Sequence, residues 1–267
     1  MDLGLKGKNV LITGASRGIG RAISIAFAHE KANLIICARN KDRLDKLKVA
    51  LEDIEDIDVL AITADLTRLE DINMLAKESI KKFNNIDVLI NNVGGAELYR
   101  KFEEISDNEW QETFNLNFFS AVRLTKLVIP AMKKNRWGRI VNIASESGVQ
   151  PDPFMPDYNA SKAALINFTK SLSKAYGHYN ILINSVSPAL TNTELVEEIF
   201  EKEAKIKKTT TDKIVTEFLM NVRPNIVLNR PAMPEEIASV VLFLASEKAS
   251  FITGANIRVD GGSVSSV

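Results

Sequence analysis

Asn9-Val10-Leu11-Ile12-Thr13-Gly14-Ala15-Ser16-Arg17-Gly18-Ile19-Gly20 begins as an apolar run and ends in a loop with three glycines. The run 9–13 is too short for a helix and has the composition of a strand covered on both faces. Glycines let the backbone turn sharply and approach an anion closely. The amphipathic stretch 21–31 follows as a helix, and its free N–H groups and positive dipole end face the loop. Strand, glycine loop and helix in that order form a phosphate cradle. The spacing is GxxxGxG rather than the GxGxxG of the common dinucleotide fingerprint.

The same kind of apolar run recurs at 33–38, 59–64, 86–90, 139–144, 181–186 and 255–259. Between the runs, 43–53, 69–83, 110–134, 158–176 and 234–245 place apolar residues three and four apart, as helices do. Ser106 with Glu109 gives a capping box, and Pro234-Glu235-Glu236 opens the last helix. Seven alternations of strand and helix predict an α/β fold, a doubly wound seven-stranded parallel sheet, as a single domain over 1–267. The stretch 190–230 breaks the pattern with no strand. Its Glu198–Lys202, Glu201–Lys205 and Glu203–Lys207 pairs support a helix over 194–208. Leu195, Ile199, Phe200, Phe218, Leu219 and Met220 give it apolar residues to close over something, and it reads as a lid.

Composition narrows the function. The 267 residues are 45% hydrophobic and carry 34 basic against 34 acidic side chains, which argues against nucleic acid or an anionic membrane as partner. One cysteine, Cys37, leaves no intramolecular disulfide and no multi-cysteine zinc site, and two histidines, His29 and His178, leave no His-rich metal site. No apolar stretch approaches the ~18 residues of a membrane helix. Residues 1–8 lack the apolar region of a signal peptide. The expectation is a soluble cytoplasmic protein without metal.

Gly14-Ala15-Ser16-Arg17-Gly18 also fits GxSxG, which would make Ser16 the nucleophile of a serine hydrolase. Too few residues precede it to build an oxyanion loop, His178 would have to complete the triad alone, and Gly20 has no role there. The end of the second strand then addresses which dinucleotide binds. It reads Ala38-Arg39, with no acid to hold the ribose hydroxyls of NAD. Arg39, assisted by Arg17, can pair with a 2′-phosphate, which favours NADP(H) over NAD(H).

Tyr158 and Lys162 stand at i, i+4 on one helix face. A neighbouring ammonium is expected to lower the phenol's pKa from about 10 and make it a proton shuttle. Ser145 follows the fifth strand directly, at the strand ends where such sheets bind ligands.

The combination resembles the short-chain dehydrogenase/reductase family along nearly the whole chain. The pieces carrying the resemblance are Thr13 to Gly20, Asp65, Asn91-Asn92-Val93-Gly94, Asn117, Ser145, Tyr158, Lys162, Asn184, Pro188, Thr193 and Asp260-Gly261-Gly262. The resemblance implies a Rossmann-type fold and an NADP(H)-dependent oxidoreductase that interconverts a ketone and a secondary alcohol, 3-oxoacyl-carrier-protein reductase-like members being the nearest in kind. It assigns catalysis to Asn117, Ser145, Tyr158 and Lys162. Tyr158 would be the general acid or base, Ser145 would hold the substrate oxygen, and Lys162 would bind the nicotinamide ribose. Asn117, in mid-helix, would hold a water relay. The coenzyme would lie on Gly14, Ser16, Arg17, Gly18, Ile19, Gly20 and Arg39, with Asp65 and Leu66 at the adenine. Asn92 and Gly94 would lie near the ribose, and Pro188, Thr191 and Thr193 at the nicotinamide end. Val93 and Ala189 depart from the family's Ala and Gly, and Ala189 restricts a turn that glycine leaves free. A homotetramer built on helices 110–134 and 158–176 is implied. A non-enzymatic NADP sensor would keep the glycine loop and have no use for the Asn–Ser–Tyr–Lys set.

Overall fold

In the first strand, β1 (Asn9–Thr13), Val10 and Ile12 pack on one side of the sheet and Leu11 on the other, as a pleat of period two requires. The next strand, β2 (Asn33–Ala38), repeats this with Leu34 and Ile36 opposed to Ile35 and Cys37. All of these side chains are fully buried. Each buried Leu or Ile is worth roughly 1.5–3 kcal/mol, so two such faces commit the segment to the middle of a sheet.

The computed structural model describes residues 2–54, 56–96 and 100–266. The expected single domain over 1–267 includes Met1, Glu55, residues 97–99 and Val267, which lie outside the described residues, as does the first residue of the stretch 1–8. Among the described residues, β3 (Val59–Thr63), β4 (Val88–Asn91), β5 (Gly138–Ile143), β6 (Ile181–Pro188) and β7 (Asn256–Val259) complete the sheet. Every pairing is parallel, and the order is β3-β2-β1-β4-β5-β6-β7. Helices α1 (Gly18–His29), α2 (Lys41–Glu52) and α9 (Pro234–Ala245) cover one face, with Phe27, Leu44 and Val241 in its core. On the other face, α3 (Leu69–Phe83), α5 (Ser120–Asn135) and α6 (Pro156–Tyr176) pack with Ile72, Leu124 and Leu172. This is the doubly wound Rossmann-type sheet read from the sequence.

Two departures concern the helices. The single helix expected over 110–134 is three pieces: α4 (Asp107–Phe114), a π-helical turn (Asn115–Phe119) and α5. The Asn117 amide donates to Thr113 O at 3.0 Å and the Ser120 hydroxyl to Leu116 O at 2.5 Å. Side chains that take i−4 carbonyls compete with the backbone ladder, and the turn widens there. Asn117 therefore lies in a π turn rather than in the middle of an α-helix. The second departure is in 190–230, which holds two helices, α7 (Glu194–Lys207) and α8 (Thr211–Asn221), capped by Thr193 and Thr210. They share a small core of Phe200, Ala204 and Ile214. Glu203 pairs with Lys207 at 2.7 Å as the sequence suggests.

Candidate active site

The chain runs outward from β1 to β3 and then crosses to β4 on the other side of β1. The two helices leaving this switch diverge, and a crevice opens above the carboxyl ends of the strands. Here it is a cavity of about 710 Å³. Thr13 fastens its floor: its hydroxyl donates to Ile90 O at 3.2 Å and accepts from Asn92 N at 2.9 Å and Val93 N at 3.1 Å.

The glycine loop follows. Gly14 and Gly18 have φ of 65° and 53°, where a side chain would be strained. Gly20 is required for a different reason, since a Cβ there would lie 2.2 Å from Gly14 O. Helix and loop touch through that gap. Asn92 holds the loop down by donating to Thr13 O at 2.8 Å and Gly14 O at 3.2 Å. Its amide nitrogen thus serves the loop. Helix α1 starts with no cap from Arg17 before it and no acid in its own first turn, and its first amide, Gly18 N, donates to Glu194 Oε2 at 2.8 Å from across the cavity's rim. Arg17, Arg39 and Arg43 line the same end. Asp65 sits opposite them. Burial pushes its carboxyl up, but two hydrogen bonds from Thr67 and the charges of Arg39 and Arg68 more than offset this and hold it below the usual range. A helix start that already attracts a carboxylate, a cradle that only glycine fits and three guanidinium groups suit a dinucleotide phosphate.

Ser145, two residues past β5, and Tyr158 and Lys162, on the first turns of α6, line the opposite end. The Ser145 hydroxyl accepts from Ser147 N at 3.2 Å and hydrogen-bonds with the Tyr158 phenol. Lys162 is buried, its Nζ donating to Ile143 O at 2.8 Å and lying 5.7 Å from the centre of the Tyr158 ring. Burial pushes this ammonium down to about 8. The phenol corrects an expectation. Burial pushes Tyr158 above its ordinary value, Glu146 adds to the rise, and only the hydrogen bond with Ser145 opposes it. Desolvation of the phenolate sets the direction, and Lys162 does not offset it.

Every residue expected to hold a dinucleotide lines this cavity, from Gly14 and Arg39 to Leu66, Gly94 and Pro188. Thr191 donates to Ala189 O at 3.0 Å, and Thr193 caps α7 by accepting from Val196 N at 3.4 Å. Ala189 has no left-handed φ, so the turn does not need glycine. Asn117 stands one layer back. Its side chain accepts from Gly95 N and donates to Gly95 O, both at 2.9 Å, and so clamps the loop after β4. Ser16, the alternative nucleophile, is at the carboxyl edge of the sheet. His178 lies in the turn Gly177–Tyr179 before β6, at the amino edge. About 15 Å of strand separates the two edges, and no Ser16–His178 pair exists.

Sequence reasoning misses a cluster beside Ser145. Buried Glu146 accepts from Arg223 Nε at 3.1 Å, and Asp152 accepts from Arg223 Nη1 at 2.9 Å. Burial pushes the Glu146 carboxyl up, against the charge and hydrogen bond of Arg223. Glu146 is legible as the neighbour of Ser145. Arg223, 77 residues further on, is not.

Comparisons with known proteins agree with this geometry. Residues 8–204 match the short chain dehydrogenase family. A 3-oxoacyl-[acyl-carrier-protein] reductase of Thermotoga maritima is 36% identical over 97% of this chain and 99% of its own. The uncharacterized oxidoreductase YvrD of Bacillus subtilis is 35% identical over the full length of both. The crystal structure of L-sorbose reductase from Gluconobacter frateurii, complexed with NADPH and L-sorbose, is 32% identical and superposes with a TM-score of 0.95 over 100% of both chains. No described helix is long and apolar enough to cross a membrane. The chain belongs to the short-chain dehydrogenase/reductase family, oxidoreductases that interconvert carbonyls and alcohols with a nicotinamide coenzyme.

Proposed function

We propose that this protein is an NADP(H)-dependent reductase of small ketones, working in the cytoplasm, with Tyr158 as the proton donor. The observation that carries the reading is the convergence of Ser145, Tyr158 and Lys162 on one end of a cavity whose other end is the glycine loop. The coenzyme, when bound, supplies or accepts the hydride. The remaining chemistry belongs to this chain. Burial keeps the phenol protonated, so the proton is in place for a carbonyl oxygen that gains charge. The Ser145 hydroxyl donates to the same oxygen and stabilises that charge. Lys162 supports the ribose and returns a proton to the phenol, and Asn117 positions the Gly94–Gly95 loop against it. In the reverse direction Tyr158 is the base.

Arg39 and Arg17 favour a 2′-phosphate, and the NADPH-bound L-sorbose reductase supports the same choice. Leu195, Val196 and Phe218 of the 190–230 segment line the cavity, which supports its reading as a substrate lid. A polyhydroxy ketone and a 3-oxoacyl group are the substrate classes that the relatives suggest. A homotetramer is the assembly proposed, and sedimentation as a monomer alone would refute it.

The experiment mixes purified protein with NADPH and a panel of ketoses, 3-oxoacyl thioesters and cyclic ketones, and follows nicotinamide absorbance. Turnover that falls by about 10²–10⁴-fold in Tyr158→Phe is expected. Tight NADPH binding without turnover of any ketone would favour a non-enzymatic sensor instead.

A further inference from the structure

Helix α1 holds an anion that belongs to the chain itself. Glu194 Oε2, at the start of α7, accepts the Gly18 N–H at 2.8 Å from 176 residues away. The segment leading into α7 is packed on the same glycine, where a Cβ would meet Thr193 Cγ2 at 3.0 Å. One turn further along α7, Glu198 Oε1 lies 3.9 Å from Arg43 Nη2. Arg43 lines the cavity beside Arg39, at the end of β2. The two carboxylates are i, i+4, about 6 Å apart along the helix axis. They stand at the glycine loop and at the basic end of β2, where the proposed function puts the coenzyme's diphosphate and its 2′-phosphate.

We infer that Glu194 and Glu198 are built-in competitors for the coenzyme's phosphates, and that they set both its affinity and its choice. The inference rests on the dinucleotide reading of the cavity. A carboxylate and a phosphate cannot both take the Gly18 N–H, and two anions at such a distance repel. Coenzyme therefore binds only as Glu194 leaves. The diphosphate is common to NADPH and NADH, so Glu194 opposes both. A 2′-phosphate is present only in NADPH, so Glu198 opposes that form alone. Both side chains have room to swing away, since neither is buried, and the apolar side of α7 stays anchored on Ile214 of α8. Each carboxylate returns to its partner as the coenzyme departs, which speeds release.

The test titrates NADPH and NADH separately into wild-type protein and into Glu194→Gln, Glu194→Ala, Glu198→Gln and Glu203→Gln at low ionic strength, by calorimetry, with stopped-flow release rates. Glu203 pairs with Lys207 on the opposite face of α7, so its variant makes the same charge change away from the cavity. Both Glu194 variants are expected to bind both coenzymes more tightly by the same factor, about five- to tenfold, with slower release. Glu198→Gln is expected to tighten NADPH alone, by about two- to threefold, because the pair is exposed and screened. Glu203→Gln should change neither. The inference is overturned if the Glu194 variants bind no more tightly, or if Glu203→Gln tightens binding as much, which would be a bulk charge effect. Wild-type protein that binds neither coenzyme would instead bring down the functional reading, and this inference with it.

Discussion

Gly94 separates Asn117 from Lys162. A Cβ on Gly94 would stand 2.8 Å from Asn117 Oδ1 and 2.9 Å from Lys162 Nζ. Both of those atoms are already engaged, the first with Gly95 N and the second with Ile143 O. Glycine is needed here for space. Gly94→Ala is expected to displace the ammonium, reduce kcat by at least about tenfold and lower stability by about 1–3 kcal/mol through overpacking. Steady-state kinetics and denaturant melts check both, and an alanine variant with wild-type kcat would show that the gap is slack.

Lys162 gives a pH signature. Its pKa falls from 10.5 when unfolded to about 8 when folded. Between those values the unfolded chain binds the extra proton, so stability rises with pH across that window and the contribution is absent above it. Below pH 8 the buried charge costs at most about 3 kcal/mol. Lys162→Met is expected to be more stable than wild type at pH 7, to lose its advantage between pH 8 and 10.5, and to lose activity throughout. Melts of both proteins across that range, compared by difference, read the effect. Parallel curves would place the lysine pKa near its ordinary value.

Arg39 is exposed at the end of β2 and lines the cavity. Arg39→Ala is expected to weaken NADPH about 10- to 100-fold, the loss of a charge-assisted contact, and to leave NADH nearly unchanged. The ratio of the two dissociation constants is the measurement. Equal weakening of both would locate Arg39 on a shared part of the coenzyme.

Arg223 joins α8 to the residue after Ser145. Removing it leaves the buried Glu146 carboxylate without its cation, which is expected to cost about 3 kcal/mol in Arg223→Met. Because burial already raises the Glu146 pKa, the penalty should shrink as pH falls and the carboxyl takes up a proton. Glu146→Gln on top of Arg223→Met is expected to restore part of the melting temperature. A double variant no better than the single one would mean that Arg223 acts through Asp152 instead.

Legibility follows the range of the forces. Leu69–Phe83 and Pro234–Ala245 end where periodicity ends them, because burial of one stripe decides a helix and the stripe is written locally. The residues lining the cavity were legible for a related reason: most directly follow a strand, and parallel strands bring their ends to one edge. The π turn at Asn115–Phe119 was not, since it depends on which carbonyl the Asn117 amide takes. Nor was the sign of the Tyr158 shift. Spacing puts a lysine near the phenol but says nothing about how dry the site is, and dryness decided. Glu194 on Gly18 and Arg223 on Glu146 join residues far apart in the chain, which pattern cannot pair.

Cys37 is sealed inside β2 against both solvent and chemistry, fully buried and with its thiol pushed up to about 12 by burial and the nearby Asp71 and Asp65. An alkylating reagent reaches that sulfur only in molecules whose strands have parted. The rate at which a solution of this protein takes up such a label is therefore a clock for rupture of the whole fold, with no competing sulfhydryl to confuse the reading.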